Sequence, residues 1–298
     1  MVTGALIKDL RERTGAGMID CKTALTEANG DLERAIEILR EKGLSAISKK
    51  AGRVASEGLS HCIVKGDLGI VLEVNSETDF VAKNQEFVSF VNQVAEQIAD
   101  SSAVDAESLL KEKWSLDSSI TVEEALSQKI ATIGEKLSIR RFQKFNKAAG
   151  AELVTYVHAG GKVAVLVELT GDGDINTVGK DVAMQIAAMN PQFVSQEEVS
   201  ADYIEKEKKI LTEQALAEGK PANIVEKMIE GRLQKGLKEI CLNDQEFVKD
   251  SDFTVKSYVE KNLGKEAKVL RFVRFETGEG IEKKEENFAE EVAKAIQG

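Results

Sequence analysis

The sequence predicts an α+β protein: a small helical unit, a core built twice from one hairpin-and-helix unit with antiparallel sheets, and an inserted helical hairpin. Three observations carry this. Apolar residues recur at helical spacing through residues 6–39. Two glycine-turned runs of strand pattern, each followed by a helical stripe, stand about 90 residues apart. Only 2 prolines occur in 298 residues, which favours long uninterrupted helices.

Taken in order, Leu6, Ile7 and Leu10 share one face of a first helix, which ends before Thr14-Gly15-Ala16-Gly17. Met18, Cys21 and Leu25, with Ala28, give a second helix its buried stripe. Asn29-Gly30 turns the chain, and Asp31 is placed to accept from the free amides of a third helix. Leu32, Ala35, Ile36 and Leu39 form its stripe, and Gly43 suits the left-handed position that would end it. Leu59–Val64 and Gly69–Val74 then read as strands around Gly66-Asp67. A long helix follows, with Phe80, Phe87, Val91, Val94 and Ile98 on one face and Thr78 or Asp79 as its N-cap. A helical connection (Ala106–Lys113, Val122–Glu135) and a strand through Ile139 and Phe142 lead to the second unit. There Leu153–His158 and Lys162–Leu169 form a hairpin across Gly160-Gly161. Its helix carries Val178, Val182, Ile186 and Met189, and Pro191 ends it. Residues 197–240 are helical in pattern except at Gly219-Lys220-Pro221, so they read as an antiparallel helical hairpin protruding from the core. Val269–Phe275 returns as a strand, and a short helix with Phe288, Val292 and Ile296 closes the chain.

Composition narrows the function. The net charge is −11 and the isoelectric point about 5.0, which argues against a general phosphate-backbone binder. Residues 1–53 hold ten Lys/Arg against eight Asp/Glu, so this stretch carries +2 and the remainder −13, as befits a separate docking module. No apolar run approaches the ~20 residues that cross a bilayer, and Met1–Ile7 lacks the basic-then-apolar layout of a signal peptide. Cys21, Cys62 and Cys241 are too scattered for a disulfide framework or metal site, so a reducing cytoplasm is the expected setting.

Enzymatic constellations are scarce. His61 and His158 both fall inside strands, where histidine is more often structural than catalytic. Gly15-Ala16-Gly17 lacks the residues that complete a phosphate loop or dinucleotide fingerprint. Asp172-Gly173-Asp174 imitates the opening of a calcium loop, with no closing glutamate. Arg271-Phe272-Val273-Arg274-Phe275 mixes basic and aromatic residues as RNA-binding strands do. Plain alternation explains it equally well, burying Leu270 and Phe272 or else Val273 with its neighbours. The stretch Asn75–Lys83 is different, since it sets an acid beside a large aromatic where a strand turns into a helix. Two readings stay open on the residues alone. Asp79 favours the helix N-terminus while Phe80 begins the core stripe, or the pair forms a wedge into another protein.

Three segments bear a resemblance. Leu10-Arg11-Glu12-Arg13-Thr14-Gly15-Ala16-Gly17-Met18-Ile19-Asp20-Cys21-Lys22 is similar to the N-terminal signature of the elongation factor Ts family. Glu73-Val74-Asn75-Ser76-Glu77-Thr78-Asp79-Phe80-Val81-Ala82 resembles its second signature. Arg274-Phe275-Glu276 with Gly278-Glu279-Gly280-Ile281-Glu282-Lys283 resembles the C-terminal one. The match is collinear from residue 4 to the end.

The resemblance implies a guanine-nucleotide exchange factor for the GTPase elongation factor Tu, binding its GDP-bound and nucleotide-free forms without covalent catalysis and without a cofactor of its own. It implies a ubiquitin-associated-like module over 1–53, a duplicated core over 54–190 and 240–275, a coiled coil over 191–239 and a C-terminal module over 276–298. Thr78, Asp79, Phe80 and Val81 then match the tip that displaces the partner's nucleotide-bound magnesium. Met18, Ile19 and Lys22 match the module's contact with the partner, and His158 a contact of the second hairpin. The second unit has Asp174-Ile175-Asn176 in place of the Asp-Phe tip, so only the first is expected to act on magnesium. Dimers or a two-to-two complex through the coiled coil are within the family's range; direct nucleic-acid or membrane contact is not implied. Without the resemblance, the residues read as an adaptor that binds polypeptides.

Overall fold

The structure, a computed structural model, describes residues 2–50, 52–218 and 222–282. The turn expected at Gly219-Lys220-Pro221 and the closing helix with Phe288, Val292 and Ile296 lie outside the described residues.

Three helices open the chain: α1 (Gly4–Thr14), α2 (Met18–Glu27) and α3 (Leu32–Lys50). The Thr3 hydroxyl accepts the Leu6 N–H at 3.3 Å to start α1, and Gly15 ends it at φ 68°, a conformation that suits a residue without Cβ. Leu10, Cys21, Ala24, Leu25, Ala35 and Ile38 form the small core of this unit.

The first half of the body comprises β1 (Glu57–Lys65), β2 (Leu68–Ser76), α4 (Asp79–Ala82), α5 (Gln85–Asp100), α6 (Ala106–Lys111), β3 (Lys113–Trp114), β4 (Asp117–Thr121), α7 (Val122–Ile133) and β5 (Ser138–Asn146). The second half comprises β6 (Ala151–His158), β7 (Val163–Thr170), α8 (Ile175–Met189), α9 (Ala201–Ala217), α10 (Ala222–Ile240), α11 (Val255–Leu263) and β8 (Lys268–Glu276). Six of the strands form two antiparallel three-stranded sheets, β1-β2-β5 and β6-β7-β8, and β3 pairs with β4 in a separate antiparallel ribbon, so the α+β class is as predicted. Each sheet has one helix-facing side. Ile70, Leu72 and Val74 meet Phe87, Phe90 and Val94 of α5, whereas Val165, Val167 and Leu169 meet Val182 and Ile186 of α8. The other sides face each other across Cys62, Val71, Leu153, Ala164, Leu166 and Val273. Period-2 alternation along the strands sorts the residues between these two environments.

The halves repeat in detail. Each central strand has a register shift at the same place, Glu73/Val74 in β2 and Glu168/Leu169 in β7. Just before each bulge sits a buried glutamate, bonded to an arginine of the third strand: Glu73 to Arg141 at 2.6 Å and Glu168 to Arg271 at 2.5 Å. The arginines then cross over. Arg141 stacks on Phe275 of the other sheet at 4.2 Å, and Arg271 on Phe145 at 3.8 Å. The basic and aromatic residues of β8 are therefore largely an inter-sheet lock, with Val269 and Val273 buried and Phe272 packed under the helices.

Several expectations need correcting. The third helix does not end at Gly43 but runs on to Lys50, because Gly43 rests on α7; a Cβ there would lie 3.5 Å from the Ser127 carbonyl oxygen. Met18 leaves the expected stripe and faces solvent, since the close fit of α1 on α2 is made by Cys21, Ala24 and Leu25. Met189, at the last residue of α8, is exposed as well. The long helix expected from Phe80 to Ile98 is broken into α4 and α5. Strands β3 and β4 and helix α11 had no clear sequence signal. Helices α9 and α10 pack side by side, with Tyr203, Ile204 and Leu211 against Leu233, Leu237 and Ile240, and Glu218 bonds Arg232 through both carboxylate oxygens. No helix among the described residues is long and apolar enough to cross a membrane.

Candidate functional site

The β2–β5 ladder ends at Asn75↔Ser138, and the chain then leaves the sheet through residues 77–84. Helix α4 is a single turn in this stretch. Thr78 is its N-cap, the hydroxyl accepting the Val81 N–H at 3.3 Å. Val81 and Ala82 turn inward and are buried, which sends Phe80 outward; its side chain is 81% exposed. Asn84 caps α5 by accepting the Glu86 N–H at 2.8 Å, so that helix restarts in a new phase. Phe87 begins the core stripe and Phe80 is not part of it. The second half has no such turn. Residues 171–174 lead directly into α8, and Asp174 spends its carboxylate on the Thr177 N–H and hydroxyl at 3.1 and 2.7 Å. Only the first half presents an outward aromatic after its hairpin.

Asp79 stands beside Phe80 at the start of α4, with its carboxylate 2.7 Å from Lys83 Nζ. That hydrogen bond holds the Asp79 carboxyl below the usual range, with further help from the charges of Lys83 and Lys162, so it stays anionic. The tip as a whole is clamped from behind. Glu135, just past α7, accepts the Thr78 N–H at 3.0 Å and its hydroxyl at 2.7 Å, and Ser76 Oγ donates to the Thr78 carbonyl at 3.0 Å.

Two other predicted sites lie on the second hairpin and on the N-terminal unit. The turn of the second hairpin is tied to β1 by Ser60 N–H donating to the Gly161 carbonyl at 2.7 Å. Its residues Val157, Gly160 and Gly161 share a cavity of about 440 Å³ with Ala82, Lys83, Val88 and Leu59. His158 is exposed at the start of that turn, its Nδ1 2.9 Å from the Tyr156 hydroxyl. At the N-terminal unit, Met18 and Ile19 are 62% and 80% exposed on the first turn of α2, and Lys22 is exposed one turn on. The C-terminal end of α7 joins the two regions. Thr132 approaches the Gly15 turn beside a cleft of about 200 Å³, and Glu135 holds Thr78.

The arrangement offers an apolar ring and an anionic carboxylate on the outside of a rigid turn. It offers little for covalent chemistry. His61 is half-buried, and burial lowers its pKa, so it is neutral at pH 7. Burial between the sheets pushes the Cys62 thiol up to about 11. Among the described residues, no cluster of three or more His, Cys, Asp or Glu side chains could hold a metal. Glu135 was missed in the sequence. Gly134 marks the end of α7, but no periodic signal ties a loop glutamate to a threonine 57 residues away.

Comparison with known proteins sets this geometry in context. The family model described as Elongation factor TS matches residues 77–279. The chain is 53% identical over 302 residues to the elongation factor Ts of Clostridium perfringens (strain SM101 / Type A), covering 99% of each chain. It is also 53% identical over 304 residues to that of Clostridioides difficile (strain 630), again with 99% of each covered.

Proposed function

The chain belongs to the elongation factor Ts family, whose members serve translation elongation as nucleotide exchange factors, and from that membership we propose that it accelerates GDP release from elongation factor Tu by displacing the nucleotide-bound magnesium. The observation that carries the reading is Phe80, an exposed aromatic beside an anionic Asp79 on a one-turn helix held from behind.

A GTPase that holds GDP at nanomolar affinity gains about 12 kcal/mol from it. Much of that comes through magnesium and the amides around the phosphates. An exchange factor lowers this by binding the nucleotide-free state better than the loaded one, and the coupling is reciprocal. In this reading Phe80 supplies the apolar burial that props the nucleotide site open, and Asp79 disturbs the magnesium ligands by charge. Thr78 and Val81 hold the tip in shape. Met18, Ile19 and Lys22, together with His158, supply binding energy away from the nucleotide. We assign residues 1–53 as the ubiquitin-associated-like docking module, 54–190 with 240–275 as the duplicated core, and 276–298 as a C-terminal module. Residues 191–239 are the family's coiled coil, available for a homodimer or a two-to-two complex; light scattering on the mixture with the GTPase distinguishes these from one-to-one.

The test is stopped-flow release of labelled GDP from elongation factor Tu in excess GTP. The Asp79→Ala, Phe80→Ala double variant is expected to lose exchange far more than complex formation. An unchanged release rate removes the wedge. If the wild-type chain binds the GTPase yet leaves label loss at its spontaneous rate, the chain is an adaptor.

A further inference from the structure

We propose that Glu135 is a positioning residue for exchange: it orients the Thr78 hydroxyl and thereby fixes the direction in which Phe80 leaves the protein. The inference rests on the exchange reading above. Its ground is the pattern of hydrogen bonds where the β2–β5 ladder stops. Past Asn75↔Ser138 the two chains part, and two glutamates close the gap reciprocally. Glu77 accepts the Lys136 N–H at 2.5 Å, and Glu135 accepts the Thr78 N–H at 3.0 Å. Backbone is thus held by the opposite chain's carboxylate on both sides, in place of the ladder that no longer runs.

The hydroxyl of Thr78 has one proton and must serve two neighbours. It donates to Glu135 Oε1 at 2.7 Å and accepts from the Val81 N–H at 3.3 Å. A carboxylate is acceptor-only when ionised, so Glu135 draws the proton to its own side and leaves a lone pair facing the helix. Without that partner the hydroxyl is free to rotate and the cap of α4 is weakened. A longer helix would tolerate this, but α4 is four residues long and has no other side-chain cap. Phe80 depends on the phase of that single turn.

The same loop reaches the docking module. Lys50 Nζ donates to the Gly134 carbonyl at 2.5 Å, and Arg53 bonds Glu77 at 3.3 Å. Residues 134–136 therefore set the tip against the end of α3 as well as against the sheet.

The experiment measures GDP release at saturating exchange factor, and separately the Kd for the nucleotide-free GTPase. It uses Glu135→Ala, Thr78→Val, their double variant and Thr78→Ser, with Phe80→Ala as the control on the underlying reading. Glu135→Ala and Thr78→Val are each expected to slow release about tenfold while Kd moves less than about threefold. The double variant should be no slower than the slower single, because both act on one hydroxyl. Thr78→Ser keeps the hydroxyl and should recover most of the release lost in Thr78→Val. If Glu135→Ala does not fold, the contrast between Thr78→Val and Thr78→Ser carries the test. Wild-type release in Glu135→Ala, or losses that multiply in the double variant, overturn the proposal. Slow Phe80→Ala beside fast Glu135→Ala removes only this proposal; fast Phe80→Ala removes the exchange reading and this one with it.

Discussion

Glu73 has no exposed side-chain surface, and a buried carboxylate is costly unless its lone pairs are filled. Here Asn75 donates at 2.9 Å, Arg140 at 2.9 Å, Arg141 at 2.6 Å and the Gly278 N–H at 2.7 Å. Burial alone would raise its pKa; the four donors outweigh it and leave the carboxyl below its ordinary 4.5. A depressed folded pKa means stability that is present above 4.5 and lost as the pH falls through the folded value. Urea midpoints followed from pH 7 into acid should therefore fall less steeply in Glu73→Gln than in the wild type. Glu73→Ala should cost about 3 kcal/mol, the low end for a broken buried pair because both guanidiniums still reach water. Phe80 is the opposite kind of residue. Phe80→Ala should leave stability within about 0.5 kcal/mol of wild type, since an exposed ring contributes little packing. A clear fall in its melting temperature would mean that the ring is not outside.

At the scale of elements, apolar spacing in the sequence located the main helices and strands and misjudged where some began and ended. The stripe Phe87, Val91, Val94 and Ile98 was legible because a buried helix face must repeat every three or four residues. Phe80 sits seven residues before Phe87, in phase with that stripe, so spacing alone enrols it. Only the cap at Asn84, a local hydrogen bond that breaks the helix, removes it. Gly43 failed in the reverse direction. A glycine after a helical stripe reads as a stop, yet packing on α7 carries α3 past it. Because an added methyl there meets Ser127 at ordinary van der Waals distance, Gly43→Ala should stabilise the protein by about 0.5–1 kcal/mol through helix propensity. Chemical denaturation decides this, and a loss of stability would mean that the α3–α7 contact is tighter than 3.5 Å implies.

For the whole molecule, the recurrence of hairpin and helix was legible because glycine-turned hairpins and following helices leave patterns that repeat. Its locking was not. The partner of Arg141 is Phe275, and the partner of Arg271 is Phe145, pairs separated by more than a hundred residues and invisible to any local window. The candidate site divides the same way. The exposed tip could be named from its motif, whereas its clamp and its tie to the N-terminal unit arise only when α7, β2 and α3 meet. Deleting residues 1–53 is expected to weaken association and exchange together, since it removes Met18 and Ile19 and uncovers the side of α7 next to the tip. Undiminished affinity in a pull-down would contradict this.

Each sheet keeps its three strands within one continuous stretch of chain, and residues 147–150 are all that join the first stretch to the second. The crossed arginine–phenylalanine stacks therefore make the protein its own complementary pair. Severed at that link and expressed as two polypeptides, the pieces should recognise each other and reassemble, as a lock and key cut from one blank would.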